Sequence, residues 1–210
     1  MNKDSETIIN TNDIIINRTK KINTVIKTLC RILIERKYTN KTVDEIYTKI
    51  APTITDDEIF FTLDDKKYGI KFISLFLTTI KKEASIENFL SKYQDTHKFI
   101  IINKLTDRAI KQILEYQNTE VFTIDELLIV IIDHNIVPKH ILLTAEEKDK
   151  YFEVFNHHPR DMKKILVNDP IARFYDAKIN DLFKIIRPSI TSGKEVDYRI
   201  VVPGEIKLED

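Results

Sequence analysis

The stretch KIIRPSITSGKEVDYRIVV, residues 184–202, determines how the C-terminal part of the chain folds. A first strand is predicted at Leu182 to Arg187, and Pro188, Ser189 and Gly193 supply the turn residues that follow it. On the return strand, apolar and charged residues alternate: Val196, Tyr198, Ile200 and Val202 against Glu195, Asp197 and Arg199. The pattern predicts a β-hairpin with one face in a core. Its other face is charged and could meet a partner protein through Arg187 or Arg199.

The segment before this hairpin carries the signals of a separate small unit. Pro138, within NIVPKH, marks a break because the residue before a proline is disfavoured in helical geometry. Thr144 with Glu147 predicts a capping box, and Asp169 followed by Pro170 predicts another helix start. These elements predict a small α+β domain over residues 136–202, ending on the hairpin, with a disordered tail at 203–210.

The N-terminal part, residues 1–135, alternates between helix and strand patterns. Helices are predicted from Thr19 to Arg36, after the capping pair Thr42 and Glu45, and from Thr106 onward. The predicted strands are EIFFTL (58–63), FIII (99–102) and a strand beginning with EVF (120–122). The alternation predicts an α/β domain.

Three N-terminal segments receive more specific interpretations. DDKKYG, residues 64–69, is predicted to be the turn after the first strand. A helix is then predicted from four apolar residues, namely Phe72, Leu75, Phe76 and Ile80. IDELLIVIIDHN, residues 124–135, is ambiguous between helix and strand. Thr123 with Glu126 suggests that it begins as a capped helical turn and passes into a strand.

Charge and cysteine content narrow the functional classes. The chain of 210 residues has 33 basic and 33 acidic residues, so any contact with DNA must be local. Its single cysteine, Cys30, excludes an internal disulfide and a cysteine zinc cage, which fits a reducing compartment, and we expect it in the core. No apolar run approaches the roughly 18 residues of a membrane span, and no signal-peptide pattern is present. We therefore expect a soluble protein without a membrane partner.

Catalytic patterns are weak. Residues 65–67 and 35–37 match the acid-x-lysine tripeptide of metal-dependent nucleases, but such spacings also arise by chance in turns and on solvated faces. The histidines lack the i, i+4 spacing that places two imidazoles on one metal, and three glycines could hardly build a phosphate loop. We predict no catalytic residue, cofactor, metal or small-molecule substrate.

Three C-terminal segments together resemble the fifth-largest subunit of eukaryotic RNA polymerases, whose C-terminal half corresponds to a small subunit of the archaeal polymerase. The resemblance rests on an H-x-x-V-P-x-H element and on two further groups of residues in the family's order. These are His134, Val137, Pro138 and His140; Asp169, Pro170, Ala172 and Arg173; and Lys184 to Pro188 with Ser189, Gly193, Tyr198 and Arg199. Asp176 and Asn180 stand where the family often has glycine, and asparagine tolerates left-handed backbone geometry better than most residues.

Upstream, the likeness is looser. EIFFTLDDKKYGIKFI, residues 58–73, looks like the family's strand, acidic turn and G-I-K helix start. LTDRA, residues 105–109, looks like its T-P-S-A loop, with Asp107 in place of the proline.

The resemblance implies a non-catalytic subunit of a DNA-dependent RNA polymerase. Residues 1–135 would form a jaw with a truncated nuclease-like core near downstream DNA, and residues 136–202 would dock on the largest subunit beside other polymerase subunits. The candidate interface residues are Arg173, Arg187, Tyr198 and Arg199. The candidate DNA-proximal residues are Lys104, Arg108 and Lys111, with Asp107 opposing them.

The location of such a subunit depends on the source of its polymerase. A cellular member would act in the nucleus. The composition is typical of an AT-rich genome, and a member from a large DNA virus would act at a replication site in the host cytoplasm and be present in the virion. A metal-dependent nuclease-like protein and an interaction module outside transcription remain the alternatives.

Overall fold

The computed structural model describes residues 11–53, 57–73, 77, 84–189 and 193–204. The first sheet is preceded by two helices, α1 (Thr11–Glu35) and α2 (Val43–Ile50), and α2 begins with the predicted capping box of Thr42 and Glu45. Its four strands are β1 (Glu58–Leu63), β2 (Lys66–Ile73), β3 (His97–Ile102) and β4 (Thr119–Thr123). They lie in the order β1-β2-β3-β4, with β1 antiparallel to β2 and the other two pairs parallel.

Helices cover both faces of this sheet. Alternate residues of β3 point to opposite sides, so that Phe99 contributes to the core under α1 and α2, whereas Ile100 packs beneath α3 (Ala84–Lys92) and α4 (Asp107–Leu114). The prediction of an α/β layer with FIII as a strand buried on both faces is therefore confirmed. Cys30 lies in the core under α1, where burial raises the pKa of its thiol to about 12.

The turn predicted at DDKKYG is wrong in its length, because the observed loop is shorter. Leu63 pairs with Lys66, so only Asp64 and Asp65 form the loop, and both have positive φ angles of 46° and 67°. Two left-handed residues match the two-residue hairpin turn whose twist fits the flanking strands. The Asp64 carboxylate accepts hydrogen bonds from the Thr39 hydroxyl and, at 2.6 Å, from Lys41 Nζ, so the turn is held by the connection between α1 and α2.

The helix predicted from Phe72 onward is also wrong at its start. Phe72 lies in β2 opposite Ile101, where pairing with β3 keeps the backbone extended. Leu75, Phe76 and Ile80 lie outside the described residues.

A short connector follows β4. α5 (Ile124–Leu127) begins with the predicted capping box of Thr123 and Glu126. The strand predicted after it is wrong, because Ile131–Asp133 form a 3-10 turn. This turn inserts Ile131 and Ile132 between the cores of the two sheets, a position in which no neighbouring strand pairs with them.

The second sheet has the order β5-β7-β8-β6. Its elements are β5 (Lys139–Leu142), α6 (Ala145–Phe155), β6 (Lys163–Leu166), α7 (Pro170–Phe174), β7 (Leu182–Ser189) and β8 (Gly193–Val202). The predicted caps are confirmed: Thr144 and Glu147 form the capping box of α6, and Asp169 caps α7 with Pro170 in its first turn. Asp176 and Asn180 have positive φ angles of 51° and 72°, the geometry in which glycine is most comfortable.

The hairpin is buried on both faces near its base, which corrects the prediction of a single core face. Leu182 and Ile200 pack beneath Tyr151 of α6, whereas Phe183 and Val201 pack against α7 on the opposite face. Pro188 and Ser189 belong to β7, not to the turn. The predicted tail lies outside the described residues from Glu205 onward. Among the helices that the structure describes, none is long and apolar enough to cross a membrane.

One buried arginine joins the two sheets. Arg36, at the end of α1, has a side chain that is only 1% exposed. Its Nη1 and Nη2 donate to both carboxylate oxygens of Glu120 in β4 at 2.6 and 2.8 Å. Its Nε donates to the Phe174 carbonyl and its Nη2 to the Arg173 carbonyl, both at 2.8 Å. The guanidinium therefore connects α1, β4 and the end of α7 through charge-assisted hydrogen bonds.

The partner carboxylate is held in its charged form. Burial alone would raise the pKa of Glu120, but the hydrogen bonds from Arg36 and from His97, whose Nε2 lies 2.7 Å from Oε1, lower it to about 2. The folded pKa lies below the usual value of 4.5, so this contribution to stability is present above pH 4.5 and is lost as the pH falls toward 2.

We predict that Glu120→Gln lowers the free energy of unfolding at pH 7 by about 3 kcal/mol, because it leaves the Arg36 charge buried without its counter-ion. The deficit should shrink between pH 5 and pH 2, because in this window the Glu120 carboxyl of the unfolded wild-type chain takes up a proton while that of the folded chain stays ionised. Denaturant unfolding at several pH values measures both effects. Glu115→Gln, at an exposed position, is the matched control and should match wild type throughout. A deficit that stays constant across this pH window would contradict the assignment.

Candidate subunit interface

Arg173, a predicted interface residue, lies between the two sheets. Its Nη1 bonds the Glu126 carboxylate, its Nη2 donates to the Val121 carbonyl of β4, and its guanidinium carbon lies 5.0 Å from the Phe122 ring centre. The side chain is 18% exposed. Arg173 therefore makes contacts within the chain that the sequence did not reveal.

The other residues of this junction were missed as well. The sequence placed Arg36 at a helix end and in the tripeptide at residues 35–37, and Glu120 at the start of a strand, but it gave neither of them nor His97 a role at a junction. Arg36 is 84 positions from Glu120 and 138 from Phe174, and no local periodicity marks contacts over such separations.

The hairpin places Arg187 and Arg199 on one face of the second sheet. Register pairs Arg199 with Phe183 and Arg187 with Glu195, and paired residues share a face. Asp197 lies on this face between the two arginines, 3.7 Å from the Nε of Arg199. We name Arg187, Glu195, Asp197 and Arg199 the charged hairpin face.

The arginines of this face retain unused hydrogen-bonding capacity. The Nε atoms of Arg187 and Arg199 are shielded from water and have no hydrogen-bond partner among the described residues. A shielded donor without an acceptor carries a desolvation penalty, so each arginine side chain gains when it turns toward an acceptor on a docked partner, and the Arg199 side chain is already 33% exposed. The charged hairpin face is therefore suited to accept a partner's carboxylate or carbonyl groups.

The surroundings of Asp197 and His140 determine whether these two side chains are charged at this face. Burial opposes ionisation of Asp197, but the hydrogen bond from Lys163 Nζ, at 3.0 Å, outweighs it and lowers the pKa of Asp197. In β5, burial lowers the pKa of His140, and the positive charges of Arg199 and Arg187 act in the same direction. The His140 Nδ1 donates to the Pro138 carbonyl at 2.7 Å, which orients the ring. A carboxylate and a neutral imidazole therefore flank the arginines near neutral pH.

Tyr198 lies on the opposite face of the hairpin from the two arginines. Its ring packs on Tyr151 of α6 with centroids 4.2 Å apart, and Phe155 lies beside both rings. Phe155 is 53% exposed and Val196, two residues before Tyr198, is 47% exposed. Exposed apolar residues that adjoin an aromatic cluster are typical of protein contact surfaces. The predicted interface residues thus divide between two faces of the hairpin and the junction of the two sheets.

The predicted DNA-proximal residues lie on the first sheet. Lys104, Arg108 and Lys111 are all exposed, and the last two stand three positions apart in α4. Residues at this spacing share a helix face. Thr106 caps α4, and Asp107, in its first turn, is exposed beside these cations.

The two tripeptides that suggested a nuclease lie in different parts of the fold. Asp65 lies in the two-residue turn and Lys67 in β2, while Glu35 pairs with Arg31 at 3.0 Å. Among the described residues, no group of three or more histidine, cysteine, aspartate or glutamate side chains could hold a metal ion.

Comparison with known proteins places the chain in a family. The domain described as RNA polymerase Rpb5, C-terminal domain, matches residues 129–201, which contain the 3-10 turn, the second sheet and the hairpin. DNA-directed RNA polymerase subunit 5 of Acanthamoeba polyphaga mimivirus is 34% identical over 148 residues, which cover 70% of this chain and 72% of the relative. The Dictyostelium discoideum protein named as a subunit of DNA-directed RNA polymerases I, II and III is 32% identical over 154 residues, covering 70% and 73%.

A shorter relative matches about one third of the chain. DNA-directed RNA polymerase subunit Rpo5 of Archaeoglobus fulgidus is 41% identical over 70 residues, which cover 33% of this chain and 92% of the relative. These similarities confirm the resemblance carried by the histidine and proline element, the α7 start and the hairpin. The chain therefore belongs to the family of DNA-directed RNA polymerase subunit 5.

Proposed function

We propose that this chain is a non-catalytic subunit of a DNA-directed RNA polymerase and that it docks on the largest subunit through the hairpin of its second sheet. The observation that carries the docking proposal is the charged hairpin face, where two arginines keep shielded donors without acceptors among the described residues. Family membership supplies the setting, since the similar proteins are named as polymerase subunits.

Arginine and aromatic anchors supply much of the energy in protein interfaces because a few well-desolvated residues dominate binding. Arg187 and Arg199 fit this role on one face and Tyr198 fits it on the other. Arg173 is assigned an indirect part, because its guanidinium holds the second sheet against β4.

We predict that Arg187→Ala and Arg199→Ala each weaken binding of the full-length chain to the largest subunit by about 1 to 3 kcal/mol, because each removes a charge-assisted contact. Affinity measurement with the purified subunit tests this. Arg160→Ala is the matched control, since Arg160 is an exposed arginine outside the hairpin. All variants should unfold at the same denaturant concentration as the parent.

Wild-type binding by both hairpin variants would refute the docking site. The proposed domain division, at about residue 135, has its own test: a fragment from residue 129 onward, which retains Ile131 and Ile132 of the second core, should bind the largest subunit, whereas residues 1–128 should not. Recovery of the N-terminal fragment alone with the largest subunit would reverse this assignment.

We further propose that the first sheet and its helices form a jaw with a nuclease-like core, near downstream DNA. Lys104, Arg108 and Lys111 would each neutralise one phosphate, with Asp107 weakening the contact. Because each phosphate contact releases about one counter-ion, the salt dependence of DNA affinity reports their number.

We predict that alanine at all three positions, in assembled polymerase, reduces the slope of log affinity against log salt by about three units. Alanine at Lys20, Lys21 and Lys27, three exposed lysines of α1, is the matched control and should leave the slope unchanged. An unchanged slope in the first variant would show that these cations do not contact DNA.

We expect no DNA cleavage by the isolated chain with Mg²⁺ or Mn²⁺, because Asp65 and Lys67 lie at a turn and no second pair of carboxylates joins them in a metal-holding group among the described residues. Cleavage that Asp65→Ala abolishes would favour the nuclease alternative. The proposed location follows the polymerase: the nucleus for a cellular enzyme, or the cytoplasmic replication site and the virion for a viral one. The mimivirus relative supports a viral origin.

A further inference from the structure

We propose that a cleft between β4 and α7 binds an extended peptide segment of another polymerase subunit, which adds to the first sheet as a strand beside β4. This inference rests on the proposed function, because the segment comes from the assembled enzyme. The cleft has a volume of about 920 Å³ and is lined on one side by residues 116–123 and on the other by residues of α7 and the loop after it. A volume of this size lies within the range of ligand-binding clefts.

β4 is an edge strand with part of its free edge already covered. It ends the order β1-β2-β3-β4, so only β3 pairs with it in the described part of the chain. At its C-terminal end, the Val121 carbonyl accepts from Arg173 and the Thr123 N–H donates to Glu126 at 2.7 Å. Two side chains therefore block strand pairing over this half of the edge.

The N-terminal half of the same edge faces the cleft. The Asn118 carbonyl accepts from the Lys98 N–H at 2.7 Å and so points toward β3, whereas the Val121 carbonyl points away from it. Backbone groups alternate in direction along a strand, which directs the N–H and carbonyl of Thr119 and the N–H of Val121 away from β3. Such a row of backbone groups is a template for an added strand, and peptide recognition commonly uses it.

Charge distinguishes a peptide from a nucleic acid. Apart from the ion pairs at the junction of the sheets, the cleft is lined by three lysines and three aspartates, namely Lys66, Lys67, Lys178, Asp65, Asp95 and Asp176. A polynucleotide requires an excess of positive charge, which this lining lacks. A peptide backbone, which is polar and uncharged, matches both the lining and the exposed edge of β4.

Site-specific photocrosslinking in assembled polymerase tests the proposal. A benzophenone side chain is placed at Leu114, which lines the cleft and is 43% exposed, or at Gln117, which lines it and is exposed; Glu115, exposed and outside the lining, is the matched control. We expect both cleft positions to crosslink to one contiguous segment of another subunit and the control position to give no such product.

Two results would overturn the proposal: no crosslink from either cleft position in polymerase that retains the chain, or crosslinks only within the chain itself, including residues 205–210. Failure of the unlabelled chain to enter polymerase would instead refute the proposed function. The two failures are therefore distinguishable.

Discussion

The Arg36 guanidinium is the contact on which the arrangement of the two sheets depends. It is nearly inaccessible to water, yet its charge is matched by Glu120 and its remaining donors meet the carbonyls at the end of α7. A buried charge is tolerated only when paired and hydrogen-bonded, so these groups must lie together whenever the chain is folded. Arg173 makes the reciprocal connection from α7 to β4. Arg36 therefore reaches from the first sheet to α7, and Arg173 reaches from α7 to the first sheet.

This arrangement gives the proposed surfaces a fixed relation to each other. Phe174, beside the carbonyls that Arg36 binds, is buried in the core of the first sheet, and Ile131 packs against the cores of both sheets. Apolar contact supplies the driving force for this junction, and the charged contacts select one geometry from the many that apolar contact would allow. Because this junction fixes the two sheets relative to each other, the charged hairpin face and the cations of α4 belong to one structural unit. The proposed function, in which one chain links a docking site to a surface near DNA, requires such a connection.

Local sequence signals predicted the helices and strands well, but they did not predict long-range contacts or the directions in which side chains point. The three capping boxes at Thr42, Thr123 and Thr144 were readable because both partners lie within four residues. The turn at Asp64 was misjudged because two left-handed aspartates close a shorter loop than the polar stretch indicates. The second buried face of the hairpin was not predicted. An alternating apolar pattern marks one buried face of a strand, but it does not show that α6 and α7 cover opposite faces of the same sheet. Family resemblance suggested Arg173, Arg187, Tyr198 and Arg199 as candidates, but only the register of β7 with β8 places Tyr198 on the face opposite Arg187 and Arg199.

Spin-label distance measurement tests directly whether the two arginines hold the sheets as one body. Labels are placed through new cysteines at the exposed positions Glu115 and Glu195, while the sole native cysteine, Cys30, is buried and unreactive. We expect a narrow distance distribution for the parent and a broad one for the double variant Arg36→Met, Arg173→Met, provided that it remains folded. A broad distribution in the parent, or an equally narrow one in the folded double variant, would contradict this role of the arginines.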